Sequence, residues 1–414
     1  MSFKRSKYNI LLRVDKKRYI LYNSLYGSLI TIPNNKIELV RKLLTDNAII
    51  HKETLWNLLK ENSFIIAREI DEYKIIADKY DKTIQQSNVL MLQILMNLDC
   101  NFSCDYCFEK LTGEYLLGEN LQKVQNFLDS RSKEQECANV TWMGGEPLLS
   151  WREIEVLSKS LKKFKRFNAK IITNGFLFND KIIHSLEDNC ISGIFITIDG
   201  DPHMHNKRRT CKSNEDAYNV IKRNIGKILE RFDTNVKITI NINLDFENLS
   251  HVKQMLNDYK TFKNSVNFSI SRTVRIDSPE LEIPEKHFLN IQSDIYQELT
   301  NCKVFNNEMF IPERRPFGCF NECNNGFTIT PSAQIYKCIS EIEDKKPFGT
   351  IDNNGSISTN TNNSFWLKYN LLERNDCKSC NYLPICMGGC PKKISKIECK
   401  MNKLRYNNRL KLSI

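Results

Sequence analysis

Two rhythms divide the chain. In residues 1–85, apolar residues alternate along YNILLRV (8–14) and RYILYNS (18–24), with a polar break at Asp15–Lys17; this predicts two short strands. ELVRKLL (38–44) and ETLWNLLKEN (53–62) carry apolar residues at helical spacing, and FIIAREID (64–71) reads as a last strand. Strand–strand–helix–helix–strand predicts a small winged-helix-like α+β unit. EYKIIADKYDKTIQQSN follows as a helical linker. From about residue 90, buried-type runs (LMLQILMNL, NVTWMG, AKIITNG, GIFITIDG, VKITINI and VNFSISRT) alternate with amphipathic segments such as AYNVIKRNIGKILERF. Six strand–helix units predict an α/β fold, a partial (β/α)6 TIM-like barrel with its chemistry at the C-terminal strand ends. After about residue 305 periodicity fades into short glycine-, asparagine- and cysteine-rich segments, so something other than an apolar core must hold them. The expected domains are 1–85, 86–304 and 305–414.

Composition narrows the class. With 414 residues, 41% apolar and 26% charged, the chain is neither one ordinary domain nor wholly disordered. No apolar run reaches the roughly 18 residues of a membrane helix, and the N-terminus does not read as a signal peptide, so a cytoplasmic protein is expected. The net charge of +11 sits at the ends: +6 over residues 1–20, +7 over 391–414, and −2 between them. Two solvated termini account for this, as does a surface that attracts an acidic peptide. Few aromatic residues interleave with the basic ends, which speaks against nucleic acid.

Fifteen cysteines change the picture more. Cys137, Cys190, Cys211 and Cys302 stand apart and read as small buried hydrophobes. The rest cluster, as metal ligands do in a chain without a secretion signal. Cys100-x3-Cys104-x2-Cys107 directly follows the first barrel strand. Three thiolates in one loop can hold three corners of a 4Fe–4S cluster and leave one iron open; a zinc site or free thiols are the alternatives. Other strand ends carry Gly144-Gly145-Glu146-Pro147, Thr173-Asn174-Gly175 and Thr197-Ile198-Asp199-Gly200, the last followed by His205-Asn206-Lys207-Arg208-Arg209. Two glycines admit a close backbone approach to a ligand, and a carboxylate suits a ligand ammonium. Asp199 is a candidate acid–base group, although a loop cap suits it better. His205 reads as structural.

These motifs, in this order, resemble the radical S-adenosylmethionine (SAM) superfamily, whose signature is CxxxCxxC with an aromatic residue before the last cysteine, here Tyr106. The resemblance spans roughly residues 90–400. It implies that Cys100, Cys104 and Cys107 bind a 4Fe–4S cluster and that Glu146 holds the SAM amino group. Arg209 would meet the SAM carboxylate. Tyr106, Phe108, Gly144, Gly145, Asn174 and Thr197 would complete the cofactor site. Thr197 and Asn206 depart mildly from the usual Ser and Asp. The implied reaction is reductive cleavage of SAM, with an electron from a donor such as flavodoxin or ferredoxin, and hydrogen abstraction by the 5′-deoxyadenosyl radical.

The later cysteines resemble the SPASM extension of such enzymes; a zinc ribbon has no need of eight. Matched position by position, Cys319, Cys323, Cys338 and Cys390 would bind one auxiliary 4Fe–4S cluster, and Cys377, Cys380, Cys386 and Cys399 a second. Sulfatase-maturing members place an aspartate directly after the cysteine that matches Cys338. Here that residue is Ile339, which makes formylglycine formation a poor fit. The expectation is then a peptide maturase that cross-links a ribosomally made precursor (RiPP biosynthesis) through a thioether, C–C or ether bond. Residues 1–85 would grip the precursor's leader, on an edge of 8–14 or 18–24. The competing readings are a maturase of a protein subunit or sulfatase-like target and, outside enzymes, an iron–sulfur electron carrier or a nucleic-acid-binding protein.

Overall fold

Alternation along residues 1–33 produces four strands, two more than predicted: β1 (Phe3–Arg5), β2 (Asn9–Arg13), β3 (Arg18–Asn23) and β4 (Leu29–Pro33). The computed structural model describes residues 2–414 except 46–52, 87, 233–234, 260–261, 263–264, 276–277, 302–303, 360–364 and 394. Helices Ile37–Leu43 and Glu53–Glu61 follow, then β5 (Ile65–Ala67) and helix Glu72–Ile84, capped where Asp71 accepts from the Lys74 N–H. β1 pairs antiparallel with β5, and β2, β3 and β4 form an antiparallel sheet in that order. This corrects one expectation. Residues 18–23 are the central strand and offer no edge; the edges belong to β2 and β4.

The chain divides into two units, one of residues 1–85, 289–323 and 368–414, the other of 86–288 and 324–367. In the first, β3 buries both of its faces. Leu21 packs with Ile32, Ile37, Val40, Leu59 and Phe64. Ile20 and Tyr22 pack with Ile10, Tyr382, Ile385 and Leu410. Ile76 and Tyr80 of helix Glu72–Ile84 join Tyr8 and Leu25 against Leu371, Cys377, Leu383 and Met387. The first 85 residues therefore share their core with the cysteine-bearing C-terminal segment. Helix Lys396–Leu412, capped by Ser395, closes the chain. Its apolar residues do not repeat, so no pattern in the sequence announced it.

The second unit holds the barrel sheet. Its strands are β6 (Val89–Leu95), β8 (Cys137–Met143), β9 (Arg166–Thr173), β10 (Ile191–Thr197), β12 (Lys237–Leu244) and β13 (Val266–Arg272), parallel in that order, as predicted. Between them, β7 (Phe102–Cys104) and β11 (Arg209–Cys211) form a separate antiparallel pair. Alternation sets the faces: Ile238, Ile240, Ile242 and Leu244 are fully buried, while Thr239, Asn241 and Asn243 lie half-buried on the other side. Beyond β6 the sheet continues through β14 (Gly326–Ile329), parallel to β6, and then the antiparallel β15 (Gln334–Tyr336), β16 (Gly349–Ile351) and β17 (Ile357–Thr359). The stretch expected to be irregular thus lengthens the main sheet to ten strands. Among the described residues no helix is long and apolar enough to cross a membrane. Cys137 and Cys211 are buried as expected. Cys190 is half-buried in a left-handed turn at φ 53° before β10, and Cys302 lies outside the described residues.

Candidate functional site

The motifs meet at the C-terminal ends of the barrel strands. A side chain at Gly144 would stand 2.3 Å from the Asn97 carbonyl oxygen, and one at Gly145 2.1 Å from that of Asp99. The close approach recorded here is thus to the chain's own backbone just before Cys100. Gly145 N–H donates to Asn97 O (3.1 Å) and Glu146 N–H to Asp99 O (2.8 Å). The Asn97 amide adds bonds to Glu146 O (2.9 Å) and Ser150 Oγ (2.8 Å). The end of β8 is in this way fastened to the cysteine loop.

Glu146 is fully buried. Its carboxylate accepts from Leu148 N–H (2.9 Å), Thr173 Oγ1 (2.6 Å) and Asn174 N–H (2.7 Å). Burial raises its pKa, and these three bonds oppose the rise. A carboxylate offers about four acceptor sites, so capacity for a further donor remains. The Asn174 amide reaches Asn101 Oδ1 (2.8 Å) and Cys100 Sγ (3.9 Å). Burial pushes the Cys100 thiol up to about 12, and Cys104 and Cys107 rise for the same reason; the Arg209 guanidinium works against the rise at all three. Glu109, which the sequence did not single out, is pushed up to about 7 by burial and by the Glu146 charge.

β11 sets Arg209 opposite Cys104. Arg209 is buried and donates from Nη1 to Tyr106 Oη (2.6 Å). The Tyr106 hydroxyl donates in turn to Asp199 and accepts from the Asn243 amide (3.2 Å). Asp199 also accepts from Asn243 N–H (2.8 Å) and is fully buried, which raises its pKa against the pull of Arg209 and Arg208. The cap of the helix that follows is Asp201, which accepts from Met204 N–H. His205 is fully buried, held neutral by that burial, and packs edge-on to Tyr218 at 5.9 Å. Asn206 spans Asp216 Oδ1 and Tyr218 N–H. Thr197 ends β10, and Phe108 is exposed.

Beside this lies a cluster that no motif announced. Arg208, fully buried, donates from Nη1 to both Asp245 oxygens (2.8 Å each) and to Glu247 (3.1 Å). Arg275, just past β13, donates from Nε to Asp245 (2.8 Å), from Nη2 to Glu247 (2.8 Å) and from Nη1 to Asp105 (3.1 Å). The one signal in the sequence is that Asp105, Asp245, Glu247 and Arg275 stand just after strands.

Among the described residues, no group of three or more His, Cys, Asp or Glu side chains stands ready-made to hold a metal ion. The donor chemistry nevertheless fits an iron–sulfur cluster with an anionic, ammonium-bearing ligand. Three thiols share one loop, and negative charge on one raises the next. Among the described residues Arg209 Nε is buried without a hydrogen-bond partner, and Glu146 has acceptor capacity left. In the other unit, the Cys377 thiol is pushed up to about 12 and Cys386 to about 11, by burial and by Cys380 and Cys399 among their neighbours. Cys319 and Cys323 bracket a turn whose Glu322 accepts from Cys319 N–H (2.6 Å) and from Tyr80 Oη (2.8 Å). Cys338, in the unit of the barrel sheet, precedes a similar turn, with Glu341 accepting from its N–H (3.2 Å). Cys390 is exposed.

Comparison with known proteins points the same way. Residues 94–259 match the family model described as the Radical SAM superfamily. The chain is 24% identical over 333 residues to a cysteine-type anaerobic sulfatase-maturating enzyme of Clostridium novyi (strain NT), covering 70% of this chain and 85% of the relative. It is 20% identical over 453 residues to the radical SAM cyclopropyl synthase TigE of Paramaledivibacter caminithermalis, covering 97% and 91%. The structure of native anSMEcpe with bound AdoMet and the Kp18Cys peptide shares the fold, with a TM-score of 0.60 at 19% identity, over 77% of this chain and 96% of that one.

Proposed function

This chain is a radical SAM enzyme, and from that premise we propose that it matures a ribosomally made precursor peptide by forming a cross-link. The observation that carries the reading is the meeting of the Cys100–Cys107 loop, Glu146 and Arg209 at the strand ends, with a second group of cysteines beyond the barrel. Bound there, a 4Fe–4S cluster and SAM supply reductive C–S cleavage and hydrogen abstraction. Cys100, Cys104 and Cys107 hold the cluster. Glu146 receives the SAM ammonium, and Arg209, through its unpartnered Nε, receives the carboxylate. Cys319, Cys323, Cys338 and Cys390, and Cys377, Cys380, Cys386 and Cys399, hold two auxiliary clusters, for three in all. A flavodoxin or ferredoxin is the proposed electron donor, and the cytoplasm the proposed compartment.

The relatives support a peptide substrate. One is named for sulfatase maturation and another for cyclopropyl formation, and the anSMEcpe structure contains a peptide. Ile339 after Cys338 argues against sulfatase-type chemistry, because the aspartate expected at that position is missing. The free edge of β4 suits the leader. Asn23 N–H bonds Ser28 O and Asn34 N–H bonds Lys17 O, so the main-chain groups of Leu29 and Thr31 face away from β3. Among the described residues no strand pairs with that edge. A leader could add there as a strand, and the basic residues of the first twenty would steer an acidic one.

Glu146→Gln keeps the shape and removes the charge. Iron content is expected to stay, while SAM binding weakens about 10- to 100-fold, measured by calorimetry on the reconstituted protein. Unchanged binding would remove Glu146 from the cofactor site. The function itself is tested by incubating the reduced enzyme with SAM and the peptide encoded by a short cysteine-rich reading frame beside its gene. A product lighter by one pair of hydrogen atoms is expected, and a peptide of unchanged mass would reject cross-linking.

A further inference from the structure

We propose that Arg275 is a positioning residue that fixes the segment between Cys104 and Cys107 and thereby sets the affinity for SAM; the inference rests on the proposed SAM site. Only Asp105 and Tyr106 separate these two cysteines, and Arg275 reaches both. Its Nη1 pairs with Asp105 (3.1 Å), and its guanidinium carbon lies 6.0 Å from the centre of the Tyr106 ring, which Arg208 also approaches at 4.9 Å. Behind this contact the guanidinium is anchored: Nε on Asp245 and Nη2 on Glu247, both 2.8 Å, at the end of β12. Its side chain is 7% exposed and that of Asp245 fully buried, so the pair is held in a dry setting where charged bonds are strong. A planar fork aims donors from three separate nitrogens at three carboxylates in fixed directions; the compact ammonium of a lysine does not reproduce that spread.

Other fastenings of this segment are Asp105 N–H to Arg208 O (3.1 Å), Cys107 N–H to Cys104 O (3.3 Å), the pairing of Cys104 with Arg209, and the Tyr106 hydroxyl. Arg275 thus ties the cysteine loop to the ends of the fifth and sixth barrel strands. Partners one step removed from a metal site orient its ligands, and losing one typically weakens the site about 10- to 100-fold.

The test is a double-mutant cycle on the anaerobically reconstituted enzyme, reading SAM affinity by calorimetry and the SAM-induced change in the electron paramagnetic resonance of the reduced cluster. Asp105→Asn and Arg275→Met are each expected to weaken SAM binding about tenfold and to diminish the spectral change, with iron content kept. The double variant should be no weaker than the worse single one, because both cut the same link. Arg275→Lys should not rescue. Parent-like SAM binding in Asp105→Asn, or losses that multiply to about 100-fold in the double variant, would overturn the proposal. Should Arg275→Met not fold, Asp105→Asn decides alone, since its side chain is 39% exposed and tolerates the change. A parent enzyme that binds no SAM would overturn the cofactor site itself.

Discussion

Replacing Cys100, Cys104 and Cys107 together by alanine is expected to abolish SAM cleavage and to remove about one third of the iron, from about 12 to about 8 per chain. All three sit between β6 and the end of the CxxxCxxC loop, in the unit that also holds Glu146 and Arg209. The eight proposed auxiliary ligands lie elsewhere in the chain, from Cys319 to Cys399, and keep their iron. Loss of the thiols leaves the loop's main-chain bonds at Asn97 and Asp99 in place, so the barrel should stay folded. The readouts are 5′-deoxyadenosine by chromatography and iron by chemical assay. Cleavage that persists in the triple variant would contradict the ligand assignment. A parent protein with near four irons and zinc in the remainder would contradict the auxiliary clusters.

Deleting residues 1–85 is expected to cost far more than leader binding. The deletion removes Ile10, Ile20 and Tyr22 from around Tyr382, Ile385 and Leu410, and Tyr8, Leu25, Ile76 and Tyr80 from around Leu371, Cys377 and Leu383. It also removes the hydrogen bonds from Tyr80 Oη to Glu322, Tyr22 Oη to Pro312 O, and Ser24 Oγ to Asn381 O. A single large apolar truncation in a core costs about 2–5 kcal/mol, against a total stability of about 5–15 kcal/mol. The truncated chain should therefore lose the iron of the C-terminal cysteines and fail to show a cooperative unfolding transition for that unit. A truncated protein that retains about 12 irons per chain would show that residues 1–85 are dispensable for the cysteine-rich segment.

The barrel was legible because its signals are local. Each of the six parallel strands is an apolar or alternating run, and each motif stands within a few residues of a strand end. The same locality explains the misses. β14 is short and joins the sheet beside β6, more than two hundred residues away in sequence, through register contacts such as Thr328 with Gln93. Nothing in GFTI announces that partner. Residues 18–23 alternate like an edge strand, yet both faces are covered, one by the N-terminal helices and the other by Tyr382, Ile385 and Leu410. The helix Lys396–Leu412 buries Asn402, Leu410 and Leu412 without an apolar stripe, so tertiary contacts rather than pattern hold it. Arg208, Arg275, Asp245, Glu247 and Asp105 share no signal in sequence; folding brings them together from four separate segments. The cysteine spacings and the resemblance carried the chemistry of the site, and the placement of Asp199 and Tyr106 within one buried network required the structure.

The enzyme is proposed to abstract a hydrogen atom from a precursor peptide. Supplying the neighbouring precursor with deuterium at its non-exchangeable carbon positions, together with unlabelled SAM and reductant, tests it most directly. Deuterium is expected to appear in the 5′-deoxyadenosine, measured by mass spectrometry, as the peptide is consumed. Unlabelled 5′-deoxyadenosine alongside a modified peptide would contradict it.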